Sequence, residues 1–168
     1  RPAIKLEKGM YFSLTGPFLL NPDCKSKIVV VEVLHTKGIY PKNNYKAMFH
    51  VGGKIEKHGR LKYIDGCTDS LLIPPIKMGD PCFNHLHFPP AISQTSHTHP
   101  TSRIGLVVKG NGLCVTPFGD LDLKEGMIFV IKSWDGQQYK KGTDGKDHEV
   151  GSHSFFTYEE SMDVVAFH

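Results

Sequence analysis

Apolar residues along this chain come in short runs rich in Val, Ile and Phe, each closed by Gly, Pro, Asn or Asp. β-Branched and aromatic runs of that length read as strands, and the Gly and Pro between them as turns. The pattern predicts strands over Ile28–Leu34, Tyr45–Val51, Leu61–Ile64, Leu71–Ile73 and Cys82–Phe88. It predicts further strands over Ser96–His99, Arg103–Lys109, Leu113–Thr116, Phe118–Leu123, Gly126–Ile131, Ser154–Thr157 and Val164–Phe167. Gly110-Asn111-Gly112 tolerates positive φ and predicts a hairpin between Arg103–Lys109 and the strand after it. Trp134 to Gly151 is polar and rich in Gly, Lys and Asp, as a loop or extended hairpin tip would be, with Trp134 as its anchor. No window of about ten residues carries the i, i+3, i+4 spacing of an amphipathic helix. The expected class is all-β, a sandwich or a barrel. Tyr63, Phe83, Phe88, Phe129, Phe155, Phe156 and Phe167 are the expected filling.

Composition narrows this picture. A chain of 168 residues suits one domain with a core of its own. With 39% hydrophobic and 22% charged residues it is not a disordered chain. The net charge of +3 is spread without a basic run, which argues against nucleic acid as a partner. No apolar stretch reaches the length of a membrane span, so no membrane partner is expected. Cys24, Cys67, Cys82 and Cys114 form no CxxC pair, which argues against a thiolate zinc site. Four reduced thiols in a cytoplasmic protein are the expectation. The sequence begins at Arg1 without a methionine, which leaves room for an upstream segment such as a targeting one.

The chemistry concentrates in Gln94 to Gly112, QTSHTHPTSRIGLVVKGNG. Successive strand side chains point to opposite faces, so His97 and His99 leave the backbone on the same side. Two imidazoles on one face are two ligands of a metal site that needs a third. His85-x-His87 has the same spacing outside any motif, and shows that the bare pair is not specific.

His97-x-His99, then Arg103, then six residues to Gly110, resembles the first motif of the cupins. Gly126-Met-Ile-Phe-Val-Ile, with His153-Ser-Phe-Phe-Thr after it, resembles their second motif. The resemblance covers roughly residues 90 to 168 and implies an antiparallel jelly-roll barrel with extra N-terminal strands. The expected layout is a single domain over 1–168, with 1–60 as a sheet extension and 61–168 as the barrel. By this resemblance His97, His99 and His153 are the metal ligands, with His148 as a substitute for the third.

Arg103 stands where the family has a glutamate ligand, and a guanidinium offers only donors. Ala91, Lys132 and Thr157 replace a glycine, a proline and an asparagine of the family pattern. Three neutral imidazoles suit a borderline divalent ion: Fe²⁺ first, with Zn²⁺, Ni²⁺, Mn²⁺ or Cu²⁺ as alternatives. Without a carboxylate ligand the site keeps its full positive charge, which favours a small anionic substrate with Arg103 as its fork-shaped partner. The resulting expectation is an Fe(II) dioxygenase-type enzyme. Arg103, His85, His87 and Tyr63 are its candidate substrate contacts, and a homodimer is its assembly by analogy. A non-enzymatic ligand-binding sensor and a metal-dependent isomerase or lyase are the alternatives.

Overall fold

The structure, a computed structural model, describes residues 3–21, 23, 25, 27–33 and 47–168. Cys24 and part of the expected strands at Ile28–Leu34 and Tyr45–Val51 lie outside these residues. The strands run in chain order as β1 (Tyr11–Ser13), β2 (His50–Gly52), β3 (Leu61–Lys62), β4 (Thr68–Ile73) and β5 (Phe83–Phe88). They continue as β6 (Arg103–Lys109), β7 (Asn111–Val115), β8 (Leu121–Lys124) and β9 (Ile128–Ile131). Last come β10 (Tyr139–Lys141), β11 (Asp147–Glu149), β12 (Ser154–Phe156) and β13 (Met162–Phe167). A single 3-10 turn at Ile64–Gly66 is the sole helical piece among the described residues.

The fold is an all-β antiparallel jelly roll. One sheet has the order β3-β4-β5-β13-β6-β9 and faces a smaller sheet ordered β12-β7-β8. β1 pairs with β2 as a separate N-terminal ribbon. Between the two main sheets lies the core, drawn from both. Phe88, Val107, Phe129, Met162 and Val164 come from the larger sheet, and Cys114, Leu123 and Phe155 from the smaller. Each large apolar side chain fully buried there contributes roughly 1.5–3 kcal/mol. Of the aromatics expected inside, Tyr63, Phe83, Phe156 and Phe167 are only half-buried. Phe83 instead meets Tyr11 of the ribbon, ring centroids 6.0 Å apart.

Gly110 does not close a hairpin. β6 is hydrogen-bonded on both edges, to β13 and β9, and β7 on both edges to β12 and β8. With no edge free for each other, the two strands belong to opposite sheets, and Gly110 turns the chain from one to the other. Its φ is +74°, and an added Cβ would lie 2.0 Å from the Ser161 carbonyl oxygen. Gly110→Ala is therefore expected to cost ~3 kcal/mol or more, strain and clash together. A fall of ~5–10 °C in the thermal midpoint, followed by circular dichroism, checks this.

Two other expected strands differ. Residues 28–33 form no strand, and Ile28, Val29, Val30, Val31 and Val33 are between 38% and 49% exposed. β-Propensity expresses fit to a paired, half-buried surface, and no partner strand stands beside them among the described residues. Ser96–His99 is extended but makes only a single antiparallel bridge, His97 with His153. The polar insertion is a hairpin, β10 with β11. Trp134 fixes its root: its N–H donates to the His99 carbonyl at 2.7 Å, and its ring meets Tyr139 edge-on.

Candidate metal centre

Alternation along the larger sheet decides what enters the barrel. Asn84, Leu86 and Phe88 of β5 point inward, as do Val164 and Ala166 of β13 and Phe129 and Ile131 of β9. Together with Arg103 of β6 they line a cavity of about 200 Å³. This is smaller than the usual range for drug-sized ligands and suits a small metabolite. Its apolar lining is interspersed with Tyr63, Asp69, Asn84, Arg103 and His168, and the histidine cluster opens into the same space.

His97, His99 and His153 converge there. One ring nitrogen from each lies within 4.8 Å of the others, and the ring centroids are 4.5 to 5.1 Å apart. The paired backbones explain the convergence. The His97 N–H donates to the His153 carbonyl at 2.9 Å, and the His153 N–H returns to His97 at 3.0 Å. Nδ1 of His97 faces the Thr95 carbonyl at 2.9 Å, and Nδ1 of His153 faces the Gly151 carbonyl at 2.8 Å. A carbonyl only accepts, so both Nδ1 atoms carry the proton and both Nε2 atoms keep their lone pairs. Nε2 of His153 is buried without a hydrogen-bond partner. Leaving such an atom unpaired costs about 1–3 kcal/mol, unless something the site is built to hold takes the lone pair.

Electrostatics keep His99 and His153 neutral. Burial first, then Arg103 and the neighbouring imidazoles, hold His99 down to about 3. Burial likewise lowers His153 to about 4, against the opposing pull of the Gly151 carbonyl. His168 lies at about 4 through burial and Arg103. Burial works against the charge of Arg103 itself. Its guanidinium donates to the Thr101 hydroxyl, and among the described residues no carboxylate lies within ion-pairing distance of it. Tyr63 borders the same space, its phenol raised by burial.

The sequence placed His97, His99, His153, Arg103 and Tyr63 together, and the structure brings all five to one cavity. It does not bring His148, whose Nε2 bonds Asp144 at 2.9 Å in the β10–β11 hairpin. His85 and His87 are also elsewhere. As odd-numbered positions of β5 they project from the outer face, where both bond Oδ1 of Asp163 at 2.9 Å. Their expected contact with a substrate in the barrel fails on strand parity. Asp69 and Asn84 were not anticipated. Their one available signal is a polar residue at an alternating position inside an otherwise strand-like run, and the register slip between Leu71 and Ile73 obscures that parity.

No protein-family model matches the chain, and no curated protein matches it. Solved structures do. A cupin-like protein from Thermotoga maritima superposes with a TM-score of 0.52 at 15% identity, over 67% of this chain and 78% of that one. A putative ethanolamine utilization protein Q from Salmonella typhimurium gives 0.52 at 14% identity, over 71% of this chain and 84% of its own. At these identities the likeness is one of fold.

Proposed function

From the cupin fold of this chain, we propose a metal-dependent enzyme acting on a small anionic molecule, with iron-dependent dioxygenase chemistry as the leading reaction class. One observation supports this above the rest: three imidazoles whose ring nitrogens lie within 4.8 Å of one another, one of them buried and unpartnered, beside a cationic side chain in the same cavity. His97, His99 and His153 would hold the ion through neutral nitrogens. Burial favours the neutral form of His99 and His153, and the carbonyls facing Nδ1 of His97 and His153 turn Nε2 of each toward the ion. A divalent ion there supplies Lewis acidity, and iron adds redox chemistry.

The chain's own residues do the rest. Arg103, without a carboxylate partner among the described residues, takes the anionic group of the substrate. Phe88, Phe129, Ile131 and Val164 exclude water from its apolar part and strengthen every polar contact inside. The Tyr63 phenol, kept protonated by burial, donates a hydrogen bond to it. An isomerase or lyase is the second reading, and Asp69 favours it by adding a carboxylate to the cavity.

Elemental analysis tests the proposal directly. Protein purified without chelators is expected to hold close to one divalent ion per chain. The anaerobic iron-loaded protein is expected to give the high-spin paramagnetic signal of its nitric oxide adduct, which reports an open position on iron. Substoichiometric metal would sink the enzyme reading. Full occupancy without that signal would sink only the dioxygenase class.

A further inference from the structure

Asp69 sits on β4 opposite Leu86 of β5, and both side chains face the cavity. Asn84, 93% buried by its neighbours and only 7% exposed, donates from Nδ2 to both carboxylate oxygens of Asp69, at 3.0 and 2.8 Å. That orientation turns Oδ1 of Asn84 the other way, where it accepts from the Cys82 thiol at 2.9 Å and from Nε2 of His168 at 3.1 Å. The amide is thus fully used in holding one carboxylate in one pose. A structural carboxylate in a barrel would be expected to meet a cation. Arg103 instead lies near enough to act on it electrostatically, yet outside ion-pairing distance. Burial raises Asp69 above an ordinary carboxylate and makes it a stronger base, partly offset by the Asn84 hydrogen bonds.

We propose that Asp69 is a catalytic acid–base residue of this cavity, and that its substrate is a small 2-oxo acid with a proton on the carbon beside the ketone. The inference rests on the metal-centre reading. The 2-oxo acid follows from the chemistry of three groups that line one cavity. Arg103 matches a carboxylate, an ion held by the histidine cluster would take up the charge that develops on a ketone oxygen, and Asp69 is the base for the adjacent carbon of a molecule small enough for about 200 Å³. In the step, the C–H bond breaks and its proton goes to an oxygen of Asp69, which becomes a neutral acid. The electron pair forms a C=C bond, and the ketone π pair moves onto oxygen. The reverse step returns a proton from Asp69 to the carbon. No other reactant is consumed.

Pyruvate is the probe. Zinc-loaded protein in D₂O is expected to wash deuterium into the pyruvate methyl group faster than zinc and buffer alone, as read by proton NMR. Asp69→Asn is expected to slow this at least ~100-fold, the lower end for a general base. Zinc content and pyruvate affinity should stay within a few-fold of the parent, with an unchanged circular dichroism melt. Asp69→Ala serves as a second variant should the amide disturb Asn84. Exchange that survives both changes overturns the proposal, as does wild-type protein that holds zinc but fails to bind pyruvate or to exchange its protons. Protein that takes up no zinc overturns the metal centre itself, and the metal measurement tells the two failures apart.

Discussion

His153→Ala is expected to lower divalent-ion affinity by ~100-fold or more, since losing a hydrogen-bond partner of a ligand already costs about 10–100-fold. The residue is 2% exposed and its Nε2 has no hydrogen-bond partner, so its loss removes one corner of the cluster and leaves only the Gly151 carbonyl without its Nδ1 donor. Truncating so buried a ring also leaves a void costing ~2–4 kcal/mol. His97→Ala separates the two effects. His97 is half-buried and its bridge to His153 runs through backbone atoms, so this change should cost little stability. Metal content by elemental analysis, beside thermal melts, checks both variants. Retention of a full complement of ion by either one would refute the three-histidine centre.

Asp163→Ala is expected to be the most destabilising single change at a polar residue among those described. Asp163 is 4% exposed, and one of its oxygens meets both His85 and His87 at 2.9 Å. An ionised carboxylate only accepts, so both rings donate to it. Removing it strands two buried N–H groups, on rings themselves 0% and 4% exposed. Breaking a buried charged network in this way costs roughly 3–5 kcal/mol, or ~10 °C in thermal midpoint for a chain of this length. A shift under about 2 °C would show that the rings re-pair locally.

The same group sets an acid limit on the fold. Burial opposes the charge on Asp163, but the His85 and His87 hydrogen bonds outweigh it and hold the carboxyl below 3.8. A lowered folded-state value means its contribution is complete above 3.8 and fades as pH falls through the folded value. Asp163→Asn should therefore flatten the stability profile in that acid range, as measured by urea unfolding at successive pH values. The cluster stands on the opposite face of the sheet from the cavity, so metal content of the folded variant should not change.

Local pattern carries a great deal here. Arg103–Lys109 and the flanking Gly110 were legible as a strand and its end, because alternation and turn chemistry act over neighbouring residues. The HxH pair and the distant His153 were legible through spacing that resembles a family. His85-x-His87, with identical spacing, shows how far such spacing goes. The outcome depended on which face of β5 the odd positions took, and a one-residue change of register reverses it. Sequence proximity likewise made a hairpin of β6 and β7 where the sheets had no free edge to give them.

The sequence alone determined the all-β class, the strand-and-turn rhythm and the shared face of His97 and His99, since each follows from residue type and short-range spacing, whereas His153 entered only through the resemblance to a family. Tertiary structure decided which polar side chains share a cavity. Asp69, Asn84 and Arg103 come from three strands, and His85, His87 and Asp163 from two. Their encounters are set by strand order and register, which depend on long-range pairing and core packing rather than on any local run of residues.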